Sequence, residues 1–440
     1  MTPPPPAGRT AHPGAWAARV VAGLAIAFAS GCTPGAAPAR GDAPRPRRPE
    51  VGPSASAAPP SAPPAGDGPE AAAPAAGGAT PAWAAGPDGS VPGVARLPEA
   101  FHRGVSVAHT YAQGGRHGYG TPRSRETLGE LAALGVTWVS LTPFGYMRTL
   151  ADREVHLVHD RPFAENDARL RREVEAAHRL GLRVLFKPHL WIGRGAWRGD
   201  LAPAGQGGWT EWFASYVRFI VHYAELAEEL GVELLAIGTE LPARGPEHEA
   251  RWRAVIRAVR GAYTGPLTFA ANWDRADGIA FWDAVDFIGV QFYPPLADGP
   301  GAPEGSMRAR LAEQLDRIEA RAAGTGRPAL LTEVGYKSVI GTEVSPHLWP
   351  ERHGNPEVSD AAQAIAYARL VRALEGRDRI RGLYVWKYFS DPGAREEGDD
   401  GFCPRGKAAE AVLRTAFGGR GCAPDDPGGP EGSGSGEGGA

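Results

Sequence analysis

The chain is read as an α/β protein, a single (β/α)8 TIM barrel entered through a long Pro/Ala/Gly-rich leader, on three observations. Short, nearly continuous apolar runs alternate eight times with longer amphipathic stretches between residues 97 and 423. Runs of that kind suit parallel strands covered on both faces. Gly135, Gly181, Gly231 and Gly376 stand at helix exits, where a left-handed cap is cheapest for glycine. Polar residues collect at the carboxyl ends of the apolar runs, the face on which such a barrel holds its chemistry.

The expected strands are 103–109, 136–144, 183–192, 233–240, 267–274, 286–293, 329–336 and 382–389. Helical periodicity fills 167–180, 209–230, 247–263, 307–323 and 360–375. The fifth unit is weak, with only 279–284 available for its helix. An open doubly wound sheet would carry a Gly-rich phosphate turn after its first strand. The stretch Gly114-Gly115-Arg116-His117-Gly118-Tyr119-Gly120 has other spacing and no helix directly behind it, so it reads as an active-site loop.

Residues 1–32 read as an export signal. Arg9 and Arg19 precede a short apolar run over 20–29, which ends at Ala29-Ser30-Gly31-Cys32. About ten apolar residues suit a signal-peptide core but not a lasting span. The small residues before Cys32 resemble a bacterial lipoprotein cleavage box, although Ala29 stands where Leu is usual. A lipidated Cys32 would make the protein a membrane-anchored lipoprotein outside the cytoplasm; with an incidental Cys32 it is simply secreted. Residues 33–96 lack large apolar side chains almost throughout and read as a disordered tether, and 424–440 as a disordered Gly-rich tail. Cys403 and Cys422 remain as an even pair. They form either a disulfide, which export permits, or two buried thiols.

With 42% hydrophobic residues and a formal net charge of −3, the chain can build one large core and offers nucleic acid little attraction. Among the strand ends are His109, Lys187-Pro188-His189, Thr239-Glu240, Asn272-Trp273-Asp274, Gln291-Phe292-Tyr293, Thr332-Glu333 and Trp386-Lys387-Tyr388. A carboxylate ending an apolar run is costly unless paired or placed in a site. Singly, Glu240 or Glu333 would read as a structural carboxylate bonded to backbone amides. Together, at the ends of the fourth and seventh strands, they suggest a pair facing across a cleft. Glycoside hydrolysis uses such a pair, one carboxyl protonated and the other ionised. No HExxH occurs and the His residues are scattered, so neither metal nor cofactor is expected. Trp138 and Trp252 read as core. Trp273, Trp386 and Tyr293 can stack on a sugar face, and His109, His189, Asn272 and Lys387 can hold its hydroxyls. The acidic run Glu396-Glu397-Gly398-Asp399-Asp400 reads as a solvated loop, with a calcium site as the alternative.

The motifs AIGTEL (236–241), LTFAANWD (267–274), FWDAVDFIGVQFYPPL (281–296), LTEVGY (331–336) and YVWKYFSDP, with DDGFCPRGKAAEAVL beyond, carry a resemblance. Over residues 101–416 the chain resembles glycoside hydrolase family 113, β-mannanases of a retaining (β/α)8 clan. The resemblance implies Glu240 as acid/base, Glu333 as nucleophile, Tyr293 as a hydrogen-bond donor to Glu333 and Trp386 as the platform under the sugar. It also implies Asn272 and His189 as hydroxyl contacts. Thr239 stands where the wider clan usually has Asn before the acid/base. The expected activity is a retaining endo-β-1,4-mannanase acting as a monomer on a β-linked polysaccharide or oligosaccharide. The rivals are the same chemistry on another β-linked hexose or amino-sugar chain, and a non-catalytic carbohydrate-binding barrel.

Overall fold

The computed structural model describes residues 91–110, 117–157, 163–348, 356–394 and 397–419. The expected signal segment with Cys32, most of the expected tether, Cys422 and the expected tail lie outside them. The described residues include part of the stretch 33–96. Val91 and Val94, read from sequence as tether, are buried. The Val91 amide donates to Thr415 Oγ1 at 2.9 Å.

In chain order the first elements are β1 (His102–Ala108), α1 (Pro122–Ala133), β2 (Trp138–Leu141), β3 (Phe144–Met147), α2 (Phe163–Arg179), β4 (Arg183–Phe186) and β5 (His189–Ile192). Then come α3 (Gly208–Leu230), β6 (Leu234–Thr239), α4 (Pro246–Arg260), β7 (Leu267–Asn272) and β8 (Phe287–Gln291). The last are α5 (Glu304–Thr325), β9 (Ala329–Val334), α6 (Asp360–Ala373), β10 (Ile380–Phe389) and α7 (Ala408–Phe417). Strands β1, β2, β4, β6, β7, β8, β9 and β10 follow one another around a closed barrel. Every pairing in it is parallel. This is the expected (β/α)8 fold, including its weak fifth unit, where two short 3-10 turns, Ala276–Gly278 and Trp282–Ala284, replace a helix. The four glycines expected at helix exits all have positive φ. Among the described residues no helix is long and apolar enough to cross a membrane.

Two expected strands are each divided in two. Pro143 separates β2 from β3, and Pro188 separates β4 from β5, because proline offers no N–H to a ladder. Beyond the prolines the chains pair again: β3 and β5 form a separate two-stranded parallel sheet at the barrel rim. The link is continuous through His189, whose amide donates to Pro143 O at 2.9 Å.

The inside of the barrel is filled, as a parallel barrel of this size requires. His102 stacks on Trp138 with ring centroids 4.0 Å apart, and Leu185, Leu234, Ala236, Leu330 and Tyr384 pack around Trp138. Burial, then the Arg183 charge, pulls His102 down to a pKa of about 4, so it sits there neutral.

Outside, α3 buries Trp212, Phe213, Tyr216, Phe219, Ile220 and Tyr223 along one stripe, the spacing of an amphipathic helix. Trp252 of α4 meets Phe213 and Phe269 edge to face, at centroid distances of 5.4 and 4.9 Å. These rings press on Gly238, where a Cβ would come within 2.6 Å of Phe269 and 2.8 Å of Trp252. Only glycine allows that approach, and it fixes the backbone two residues before Glu240.

Candidate active site

The site lies where the strands end. Register shifts fall at Ser106/Val107, Ala236/Thr239, Val290/Gln291 and Leu383/Val385. Each lies within a few residues of a candidate side chain, and irregularities of this kind re-aim side chains that regular pleating would point elsewhere.

Glu333, in β9, is buried and surrounded by donors. Lys187 Nζ and Gln291 Nε2 each reach its Oε2 at 2.6 Å, and the Tyr293 hydroxyl donates to Oε1 at 2.8 Å. Lys187 is itself fully buried. It also donates to Thr332 O at 3.0 Å, while Thr332 Oγ1 donates to Gln291 Oε1 at 3.1 Å and so fixes the Gln291 amide. Burial alone would raise the Glu333 carboxyl. Lys187, Tyr293 and Gln291 outweigh it and hold Glu333 below the usual carboxylate range. Tyr293 stays protonated, since burial and the Glu333 charge push its hydroxyl well above its ordinary value.

Glu240 follows β6 and has a different setting. Its backbone is left-handed, φ 54, a conformation that costs a non-glycine residue about 1–2 kcal/mol. Its amide donates to Ala270 O at 2.8 Å, which ties the turn to β7. Arg198 Nη1 lies 3.2 Å and Trp197 Nε1 3.4 Å from its Oε2. Burial raises this carboxyl, Arg198 lowers it, the Glu333 charge raises it, and the balance is upward. The two carboxyls therefore differ in the sense that acid–base division of labour requires.

The other expected residues are distributed unevenly. Trp386 is half-buried, with Lys187 Nζ 5.7 Å and Lys387 Nζ 5.0 Å from its ring centre. A cis peptide joins Trp386 to Lys387. Lys387 forms a 2.6 Å ion pair with Glu397, a member of the acidic run. His189 is buried with its ring nearly parallel to Trp386, centroids 6.2 Å apart. Burial, then Arg198 and Lys187, keeps it neutral, well below its ordinary pKa. Asn272 shares an open cavity with Glu240, Arg244 and Arg275, and its amide donates to Asp274 Oδ1 at 2.6 Å. Trp273 is partly buried against the main core. His109 receives the Tyr119 amide at 3.2 Å and meets the Tyr119 ring edge-on. Cys403 is free among the described residues. No group of three or more His, Cys, Asp or Glu among them could hold a metal ion.

Sequence reasoning places Lys187 and Gln291 at polar strand ends without giving them a role, and it misses Trp197 and Arg198. The first two stand beside residues it did select, and a lysine ending an apolar strand is itself a signal. Trp197 and Arg198 come from a loop with no periodic pattern to mark them.

A closed parallel barrel with two unlike carboxyls at the ends of β6 and β9 is the architecture of a (β/α)8 glycoside hydrolase. The profile of Glycoside Hydrolase Family 113 matches residues 109–407, and the chain belongs to that family. Among solved structures, a family 113 β-mannanase from Alicyclobacillus acidocaldarius in complex with ManMIm is 29% identical, with TM-score 0.63, covering 72% of this chain and 97% of its own. Two structures of family 113 β-1,4-mannanase are 26% and 25% identical, both with TM-score 0.62, each covering 73% of this chain and 99% of its own. Among curated proteins no match is found.

Proposed function

We propose that the chain is a retaining endo-β-1,4-mannanase, with Glu333 as nucleophile and Glu240 as acid/base. The observation that carries the chemistry is the contrast between the two carboxyls. Glu333, paired with Lys187 and bonded by Tyr293 and Gln291, is ionised and aimed. Glu240 is raised by burial. In the first half-reaction Glu240 gives its proton to the leaving glycosidic oxygen while Glu333 attacks the anomeric carbon. In the second, ionised Glu240 takes a proton from water as that water displaces Glu333. Trp386 supplies the flat apolar floor on which the reacting sugar lies. Mannan as substrate is supported by the structural relatives, which are family 113 β-mannanases.

The test is a substrate screen followed by NMR. Soluble β-mannan should be cleaved faster than β-glucan or chito-oligosaccharides, and the first product should be the β-anomer. An α-anomer as first product would exclude the double displacement. Preference for glucan would move the substrate to the nearest rival.

Arg198 makes a further expectation specific. It lowers Glu240, so Arg198→Leu should raise that carboxyl further and keep the acid protonated to higher pH. The alkaline limb of the kcat/KM profile, which reports the free enzyme's acid, should move upward. A limb that stays in place, or moves down, would mean that another group carries the proton.

A further inference from the structure

We infer that the outer face of the β3–β5 sheet is a second sugar-binding surface, which holds the β-linked hexose chain beyond the sugar at the cleavage point. This inference rests on the hydrolase reading above for its ligand. Side chains alternate along a strand, and the register sets Phe144 against His189 and Tyr146 against Trp191. All four aromatic side chains therefore share one face. The opposite face is closed: Gly145, Met147, Leu190 and Ile192 are buried.

The strip is continuous with the site. His189 lies nearly parallel to Trp386 at 6.2 Å. Phe144 meets His189 edge-on at 5.6 Å and Trp191 edge-on at 6.3 Å. Exposure rises outward along β5, from 3% at His189 to 52% at Trp191. Among the described residues Trp191 is the one aromatic among the large apolar side chains that stand exposed. A two-residue step along a strand covers ~7 Å, the scale of one sugar ring. Indole and phenol rings offer flat apolar surface to the C–H face of a pyranose, while an indole N–H and a phenol O–H can bond its hydroxyls. A chain leaving the Trp386 platform along this face stays on aromatic surface as it passes from buried to exposed.

The experiment uses the full chain with Trp191→Ala and Trp191→Phe. With β-1,4-mannooligosaccharides of increasing length, Trp191→Ala should lower kcat/KM on long chains by about tenfold, the loss of one aromatic contact. The shortest cleaved oligosaccharide should be unaffected, and Trp191→Phe should retain most of the long-chain rate. Binding is read separately in native gels containing soluble galactomannan or, in parallel, β-glucan. There the inactive Glu333→Gln protein should be retarded, and the same protein with Trp191→Ala should run faster. If the wild type cleaves no oligosaccharide but these gels still separate the two proteins, the hydrolase reading fails and the strip stands. Equal loss on short and long chains, unchanged retardation, or retardation in neither gel would overturn the strip. So would unchanged retardation with a Trp191→Ala shift in size-exclusion elution, which would make this face a contact between copies of the chain.

Discussion

Glu333→Ala should abolish turnover of every substrate, by on the order of 10⁴-fold or more, because the bond to the sugar cannot form. Glu240→Ala should differ in kind. Its proton matters most when the leaving group is another sugar and least when it is an acidic phenol. The variant should be nearly inactive on mannooligosaccharides yet release one equivalent of phenol rapidly from an activated aryl β-mannoside, then stall. Azide needs no base, so it should restart the reaction and yield the β-mannosyl azide. An α-azide from Glu240→Ala, or a β-azide from Glu333→Ala, would reverse the assignment.

The second large effect is expected at Lys187, which lies outside the pair yet controls it. Its ammonium is fully buried and sits 2.6 Å from Glu333 Oε2. Burial pulls Lys187 below its ordinary pKa, while the Glu333 carboxylate pushes it back up. Removing one partner of a buried pair leaves the other charge uncompensated, at a cost of about 3–5 kcal/mol. In Lys187→Met, burial would act on Glu333 with only Tyr293 and Gln291 to oppose it. Its pKa must then rise, and the fraction ionised at neutral pH must fall. Activity should drop by on the order of 10²–10³, and the acid limb of the pH–rate profile should move up towards neutrality. A folded Lys187→Met protein with an unmoved acid limb would show that Lys187 does not set the Glu333 charge. Thermal unfolding gives an independent measure of the broken pair.

Much of this arrangement was legible in the residues because a parallel barrel imposes a simple rule on them. Apolar runs such as 329–336 can end in a carboxylate only where something satisfies it, and Glu333 is satisfied. The two strands that were misjudged show what composition hides. The runs 136–144 and 183–192 each resume apolar after a short polar stretch, and their prolines mark the break that releases β3 and β5 from the barrel wall. Register shifts are invisible to pattern, so Gln291 could be placed at a strand end but not aimed at Glu333, which it reaches. Arg198 contacts Glu240 from a loop between β5 and α3, a pairing that depends on three-dimensional closure alone. Val91 and Val94 were lost among the surrounding Pro and Gly because two valines make no period.

The left-handed backbone at Glu240 has a consequence for how such a sequence can drift. A glycine there would relieve the backbone strain, and an asparagine would tolerate the same conformation more readily. Either change would delete the carboxyl that the proposed mechanism uses as its acid. Selection for heat resistance alone, blind to turnover, would therefore favour losing the acid. A barrel optimised in that way would keep its strands, its filled interior and its aromatic rim, and would bind sugar without cutting it.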